Sequence, residues 1–151
     1  MSRREYQDAL GFRAQVSGYL PHRWPAWFQP TLVDMQPEAV GPFTHSFRLT
    51  QAGDVHVLPT PGHTPGHVSV LVNAPEANTL LAGDVSHTQA LMLQQRVDGV
   101  SSDRAVSRDT LAKVRMLCQS QSAVYLPSHD PDSLDRLMQR TPAIPPGEVG
   151  P

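Results

Sequence analysis

Thr60-Pro61-Gly62-His63-Thr64-Pro65-Gly66-His67, TPGHTPGH, sets two histidines four residues apart, the spacing that places side chains on one face of a helix. Four of its eight residues are Pro or Gly, and a helix would lose about 3 kcal/mol for each interior Pro and about 1 kcal/mol for each Gly. The segment reads as a loop. Apolar runs flank it, VHVL at 55–58 and HVSVLV at 67–72, and TLLAGDV at 79–85 follows the turn-rich NAPEAN. Short β-branched and aliphatic runs punctuated by Pro, Gly and Asn are strands joined by turns. The loop therefore connects two strands, aiming His63 out of a sheet edge while His67 opens the next strand. In that strand Val68, Val70 and Val72 alternate with His67, Ser69 and Leu71, so one face meets a core and the other is partly covered.

Farther along, Ser107 is a candidate N-cap for a helix whose Leu111, Val114, Leu117 and Cys118 form one apolar stripe suited to packing on a sheet. AVYLPSH at 123–129 is a fourth strand, stopped by Pro127. Asp130-Pro131 reads as the N-cap and first residue of a closing helix that turns Leu134, Leu137 and Met138 inward. Upstream, residues 2–10 fit a short helix with Tyr6 and Leu10 as its large apolar pair. GYLPHRWPAWFQP, from Gly18, is an aromatic loop holding Trp24, Trp27 and Phe28. It is open to two readings, satellite packing or one wall of an apolar pocket. The reading divides the chain into one domain over 1–140 and a disordered tail over 141–151, since TPAIPPGEVGP has no periodicity.

Composition narrows the function classes. The 151 residues suit one compact domain. A net charge of −2 and no basic run beyond Arg3-Arg4 argue against nucleic acid and anionic membranes as partners. No apolar run is long enough to span a membrane. Cys118 is the single cysteine, which excludes an internal disulfide or a thiolate metal cluster and makes a reducing cytoplasm the expected location. Pro at 15 of 151 residues, about twice the usual share, puts much of the chemistry on loops.

Two further polar residues stand just past strands, as His63 does: Asp84 in LAGDV and His129 in LPSHD. A shared sheet edge would bring the three together, and a carboxylate between two imidazoles suits zinc, iron or manganese. Each has a plainer reading alone, since loop histidines are commonly hydrogen-bonded surface residues and Gly-Asp after a strand is commonly a turn. His22, His45 and His56 lie outside this pattern. Ser128-His129-Asp130 is not a triad by adjacency, and no G-x-S-x-G elbow occurs.

Taken in order, TPGHTPGH, LLAGDVSHTQ, VDGVSSD and VYLPSHDP resemble the C-terminal half of the metallo-β-lactamase superfamily, nearest its N-acyl-homoserine lactonase branch, from about Glu5 to about Arg140. The resemblance implies an α/β fold, half of an αββα sandwich, with two metal ions at one edge of its sheets. It implies that His63 ligates the first ion, Asp84 bridges both, His129 ligates the second, and His67 orients a ligand or the loop. Zinc is the expected metal, with iron or manganese as alternatives. The implied activity is hydrolysis of an ester or lactone such as an N-acyl-homoserine lactone, with Asp84 and His87 catalytic and Trp24, Trp27 and Phe28 as candidate substrate contacts. Lactonases of this branch often carry a tyrosine three residues after the bridging aspartate; here that position is His87. The family's H-x-H-x-D-H motif, which supplies the remaining ligands, is not in these 151 residues. The chain alone is therefore expected to bind zinc weakly, and to self-associate or pair with a separate N-terminal half. A glyoxalase II-like thiolesterase and a non-catalytic fragment are the competing readings.

Overall fold

The computed structural model describes residues 1–12, 14 and 18–145. Its centre is a five-stranded sheet in the order β1 (Phe47–Arg48), β2 (Val55–Pro59), β3 (Val68–Val72), β4 (Thr79–Gly83), β5 (Val124–Pro127). The first four strands are antiparallel neighbours and β5 runs parallel to β4. A parallel neighbour needs a crossover, supplied here by α2 (Gln89–Leu93) and α3 (Arg104–Gln121). The ends of β2, β4 and β5 and the start of β3 consequently share one sheet edge.

Helix α3 carries the expected stripe: Leu111, Val114, Leu117 and Cys118 are fully buried and meet Leu58, Leu71, Leu80 and Tyr125 from the strands. On β3 the face bearing Ser69 and Leu71 is the one sealed against this core, while Val68, Val70 and Val72 are half-buried. The valine face borders a cavity of about 560 Å³, with Phe47, Leu49 and Val57 in its wall. The helix starts earlier than expected. Its N-cap is Asp103, whose carboxylate accepts the Ala105 and Val106 amides at 2.9 and 3.1 Å. Ser107 sits inside the first turns, buried, with its hydroxyl paired to Ser101.

The closing helix α4 (Ser133–Gln139) begins later than Asp130 and faces the other way. Leu134, Leu137 and Met138 are 66%, 43% and 76% exposed. The inward position belongs to Arg136, which pairs with the buried Asp130 at 2.7 Å. An ion pair with this geometry fixes the helix phase, because turning the leucines inward would leave the Asp130 carboxylate unpaired. The described part of the expected tail, 141–145, begins on the core. Ala143 and Ile144 are buried in the core, and the Ala143 amide donates to the Ala123 carbonyl at 2.9 Å. One backbone bond and two small apolar side chains anchor this stretch without any period to betray it. Residues 146–151 of the expected tail lie outside the described residues.

Helix α1 (Arg3–Leu10) forms as expected, capped by Ser2, whose hydroxyl accepts the Glu5 amide. Trp24 stacks on Tyr6 of this helix with ring centroids 5.8 Å apart and meets Phe28 at 4.7 Å.

Candidate metal centre

The sheet edge gathers three side chains from three loops. His63 comes from the β2–β3 loop, Asp84 follows β4 directly, and His129 follows β5. His63 Nε2 lies 3.6 Å from Asp84 Oδ2 and His129 Nε2 lies 3.3 Å from Asp84 Oδ1. One carboxylate thus stands between two imidazoles, each nitrogen on its own oxygen.

The backbone aims Asp84. The β4–β5 register is irregular at Leu81/Gly83, and Gly83 adopts φ +60, a left-handed conformation that favours glycine. A Cβ there would also press on His67 Nε2 at 2.9 Å. That close approach has a purpose, since His67 Nε2 accepts the Asp84 amide at 3.1 Å. With Nε2 accepting, the ring proton sits on Nδ1 and is donated to the Thr60 carbonyl and hydroxyl at 3.0 and 2.9 Å. The Thr60 hydroxyl then donates to Ser69 Oγ, which donates to the Ala82 carbonyl. Burial lowers the His67 pKa, which agrees with a neutral ring in this chain of bonds. His67 has no free nitrogen for a metal.

His87 reaches the same place by two anchors. Its neighbour Ser86 is buried and bonded to the Tyr125 hydroxyl at 2.8 Å, and the Gln89 amide two residues on donates to Asp130 at 2.8 Å. Asp130 adjoins His129, so one carboxylate ties both loops, and the His87 and His129 rings meet edge to face at 5.0 Å. Beside His63 opens a cavity of about 380 Å³ lined by Gly11, Phe12, Tyr19, Thr64 and Ser102, among others. Trp24, Trp27 and Phe28 are not among its lining residues, and Trp27 is 79% exposed.

The donors suit a metal pair in part. Donors about 2.0–2.2 Å from one ion at tetrahedral angles lie about 3.3–3.6 Å from each other, which matches both nitrogen–oxygen separations. His63 Nδ1 and Asp84 Oδ1 are buried without a hydrogen-bond partner. Each ion position would receive one imidazole and one carboxylate oxygen. Among the described residues no group of three or more such side chains surrounds a single point.

The same arrangement has a family. The profile of the metallo-beta-lactamase superfamily matches residues 7–129. The chain belongs to the metallo-beta-lactamase superfamily. The chain is 29% identical over 82 residues to N-acyl homoserine lactonase AttM of Rhizobium radiobacter, covering 54% of the chain and 31% of that relative. AttM of Azorhizobium caulinodans is 30% identical over 82 residues, with the same coverage of 54% and 31%. The chain spans about a third of the length of these curated relatives. Two solved structures share its fold. One is an N-acyl homoserine lactone hydrolase with the product N-hexanoyl-L-homoserine at its catalytic metal centre; the TM-score is 0.68 at 18% identity, over 89% of this chain and 47% of that one. The other is a mutant of B. thuringiensis AiiA with N-decanoyl-L-homoserine at its active site, also TM-score 0.68 and 18% identity, over 89% and 47%. The five-stranded sheet and its helices are thus part of a metallo-β-lactamase α/β fold.

Sequence reasoning did not find Glu5, Thr60, Ser86, Tyr125 or Asp130. Ser2-x-x-Glu5 reads as a capping box, a pattern that keeps Glu5 on its own helix. In the fold its carboxylate instead crosses to Thr64 and Gly66.

Proposed function

We propose that this chain supplies part of the active site of a metal-dependent hydrolase whose substrate is a lactone of the N-acyl-homoserine class. The observation that carries the reading is the Asp84 carboxylate held between His63 and His129 at 3.6 and 3.3 Å. His63 and His129 would each hold one ion and Asp84 would bridge them, zinc being the metal that best suits this donor set, with iron or manganese as alternatives. When bound, such ions supply Lewis acidity toward an ester carbonyl and a lowered pKa for water. His67 keeps Asp84 in place through its amide. His87, whose ring meets that of His129, would donate a proton to the ring oxygen released when water adds to the carbonyl carbon and the C–O bond breaks. The products balance as one open-chain hydroxy acid.

The lactone class is supported by the names of the curated relatives and by the N-acyl-homoserine molecules bound in the two solved structures. The cavity beside His63, with Phe12 and Tyr19 in its wall, is the natural place for an apolar chain. The test is a rate comparison on the chain completed by an H-x-H-x-D-H segment from a relative, with zinc supplied. N-hexanoyl-homoserine lactone should be opened faster than a glutathione thioester is cleaved, and Asp84→Asn should abolish both. A thioester preference would favour the glyoxalase II-like reading, and lactone opening indifferent to Asp84→Asn would sink the metal reading.

A further inference from the structure

The carboxylate of Glu5 is used by the metal loop, not by its own helix. Glu5 Oε1 accepts the Tyr19 hydroxyl at 2.8 Å, and Oε2 accepts the Thr64 hydroxyl at 2.7 Å and the Gly66 amide at 3.1 Å. The other side of the same residue is held too, since the Gly66 carbonyl accepts the Ser2 hydroxyl at 2.6 Å. Any Cβ on Gly66 would collide with the Glu5 backbone. The first turn of α1 therefore grips the loop through Gly66, and only glycine allows the grip to be so close. Burial and the bond to Glu5 push the Tyr19 hydroxyl up to about 12, so it remains a donor.

Thr64 is the neighbour of His63 and Gly66 the neighbour of His67. The opposite end of the loop is fixed separately, because the Gly62 carbonyl accepts the Ser102 hydroxyl and amide at 2.8 and 2.9 Å. Pro61 and Pro65 remove two amides that could otherwise anchor the segment. Within the loop the Gly62 and His67 amides donate to the Thr64 carbonyl at 3.0 and 3.4 Å, and Glu5 supplies the acceptor for the Gly66 amide and the Thr64 hydroxyl. We propose that Glu5 is a positioning residue, whose carboxylate, through Thr64 and Gly66, sets His63 against Asp84 and His67 against the Asp84 amide. Its effect on metal binding rests on the reading given under Proposed function; its hold on the loop does not.

The chemistry of the acceptor sets the test. The Gly66 amide can only donate, whereas the Thr64 and Tyr19 hydroxyls can also accept. Glu5→Gln keeps one oxygen for Gly66 and lets the hydroxyls reverse, while Glu5→Ala leaves the Gly66 amide without its acceptor and the Tyr19 and Thr64 hydroxyls with only each other. Amide exchange and histidine ring resonances of the isotope-labelled full chain provide the readout. In Glu5→Ala the Gly66 amide should exchange at least about tenfold faster and the His63 ring shift, while the Leu71 and Leu80 amides of the sheet keep their rates. Glu5→Gln should stay close to the parent. In a zinc titration followed on the His63 ring, Glu5→Ala should bind about ten- to hundredfold more weakly.

Unchanged Gly66 exchange in a folded Glu5→Ala chain would overturn the proposal. So would equal acceleration at Leu71 and Leu80, which would make Glu5 a contributor to global stability alone. If Glu5→Ala does not fold, Thr64→Val removes the donor beside His63, and the His63 ring should shift; a His63 ring indifferent to it would overturn the proposal. Zinc binding unaffected by His63→Ala would defeat the metal reading, with Gly66 exchange still deciding for or against Glu5.

Discussion

His67 shows how one side chain can serve the proposed metal site through the backbone alone. Its two nitrogens are committed in opposite senses, accepting from the Asp84 amide and donating to Thr60. His67→Phe keeps the ring and removes both bonds, leaving the buried Thr60 carbonyl and the Asp84 amide short of a partner. Unfolding in urea should show a loss of about 1–3 kcal/mol; a change below about 0.3 kcal/mol would mean the ring only fills space. His87 is the opposite case, a residue placed by its neighbours and free to act. In the completed, zinc-loaded enzyme His87→Phe should lower lactone kcat by about 10²-fold, the usual cost of one hydrogen bond made in the transition state, and leave metal content unchanged. Loss of metal in that variant would make His87 a ligand. The meeting of His63, Asp84 and His129 at one edge was legible in the sequence because each follows a strand and the strands could be read. Glu5 and Tyr125 were not, because their roles depend on contacts between segments far apart in the chain, Glu5 with Gly66 and Tyr125 with Ser86.

Among the elements, β2, β3, β4 and α3 were readable because a single pattern, alternation or an apolar stripe, governs each of them. Helix α4 was misread for a physical reason. Its Leu134, Leu137 and Met138 do form an apolar set, but the buried Asp130 outranks them by demanding Arg136. Asp130 also holds the start of α2 through the Gln89 amide, so it joins the loops of His87 and His129. Arg136→Met should therefore cost about 1–3 kcal/mol in chemical denaturation, the loss of a charged hydrogen bond from a carboxylate that keeps its Gln89 and Asp132 amides. Leu134→Gln and Met138→Gln should each stay within about 0.5 kcal/mol, as exposed positions do. If the leucine variants prove the more damaging, the helix faces the way its periodicity first suggested.

For the molecule as a whole, the core sets an alkaline limit on stability. Burial pushes the Cys118 thiol up to about 12 and raises Tyr125 as well. The folded chain keeps these protons while the unfolded chain gives them up, so the stabilisation is intact below the unfolded values and is lost as pH rises through about 9 to 12. The urea midpoint should fall above pH about 9, and Cys118→Ala should make that decline shallower even though its cavity lowers the midpoint throughout. The edge that gathers His63, Asp84 and His129 is a property of the same scale, since the three come from loops that only the assembled sheet brings together. The most direct test is a zinc titration of the labelled chain, following imidazole nitrogen resonances. The Nε2 signals of His63 and His129 should move together and only with zinc in excess, because each ion gains too few protein ligands to be held tightly. His67 should not respond as a ligand, and Asp84→Asn should abolish the shifts. Resonances of His63 and His129 that ignore zinc, or that shift equally in Asp84→Asn, would contradict the account.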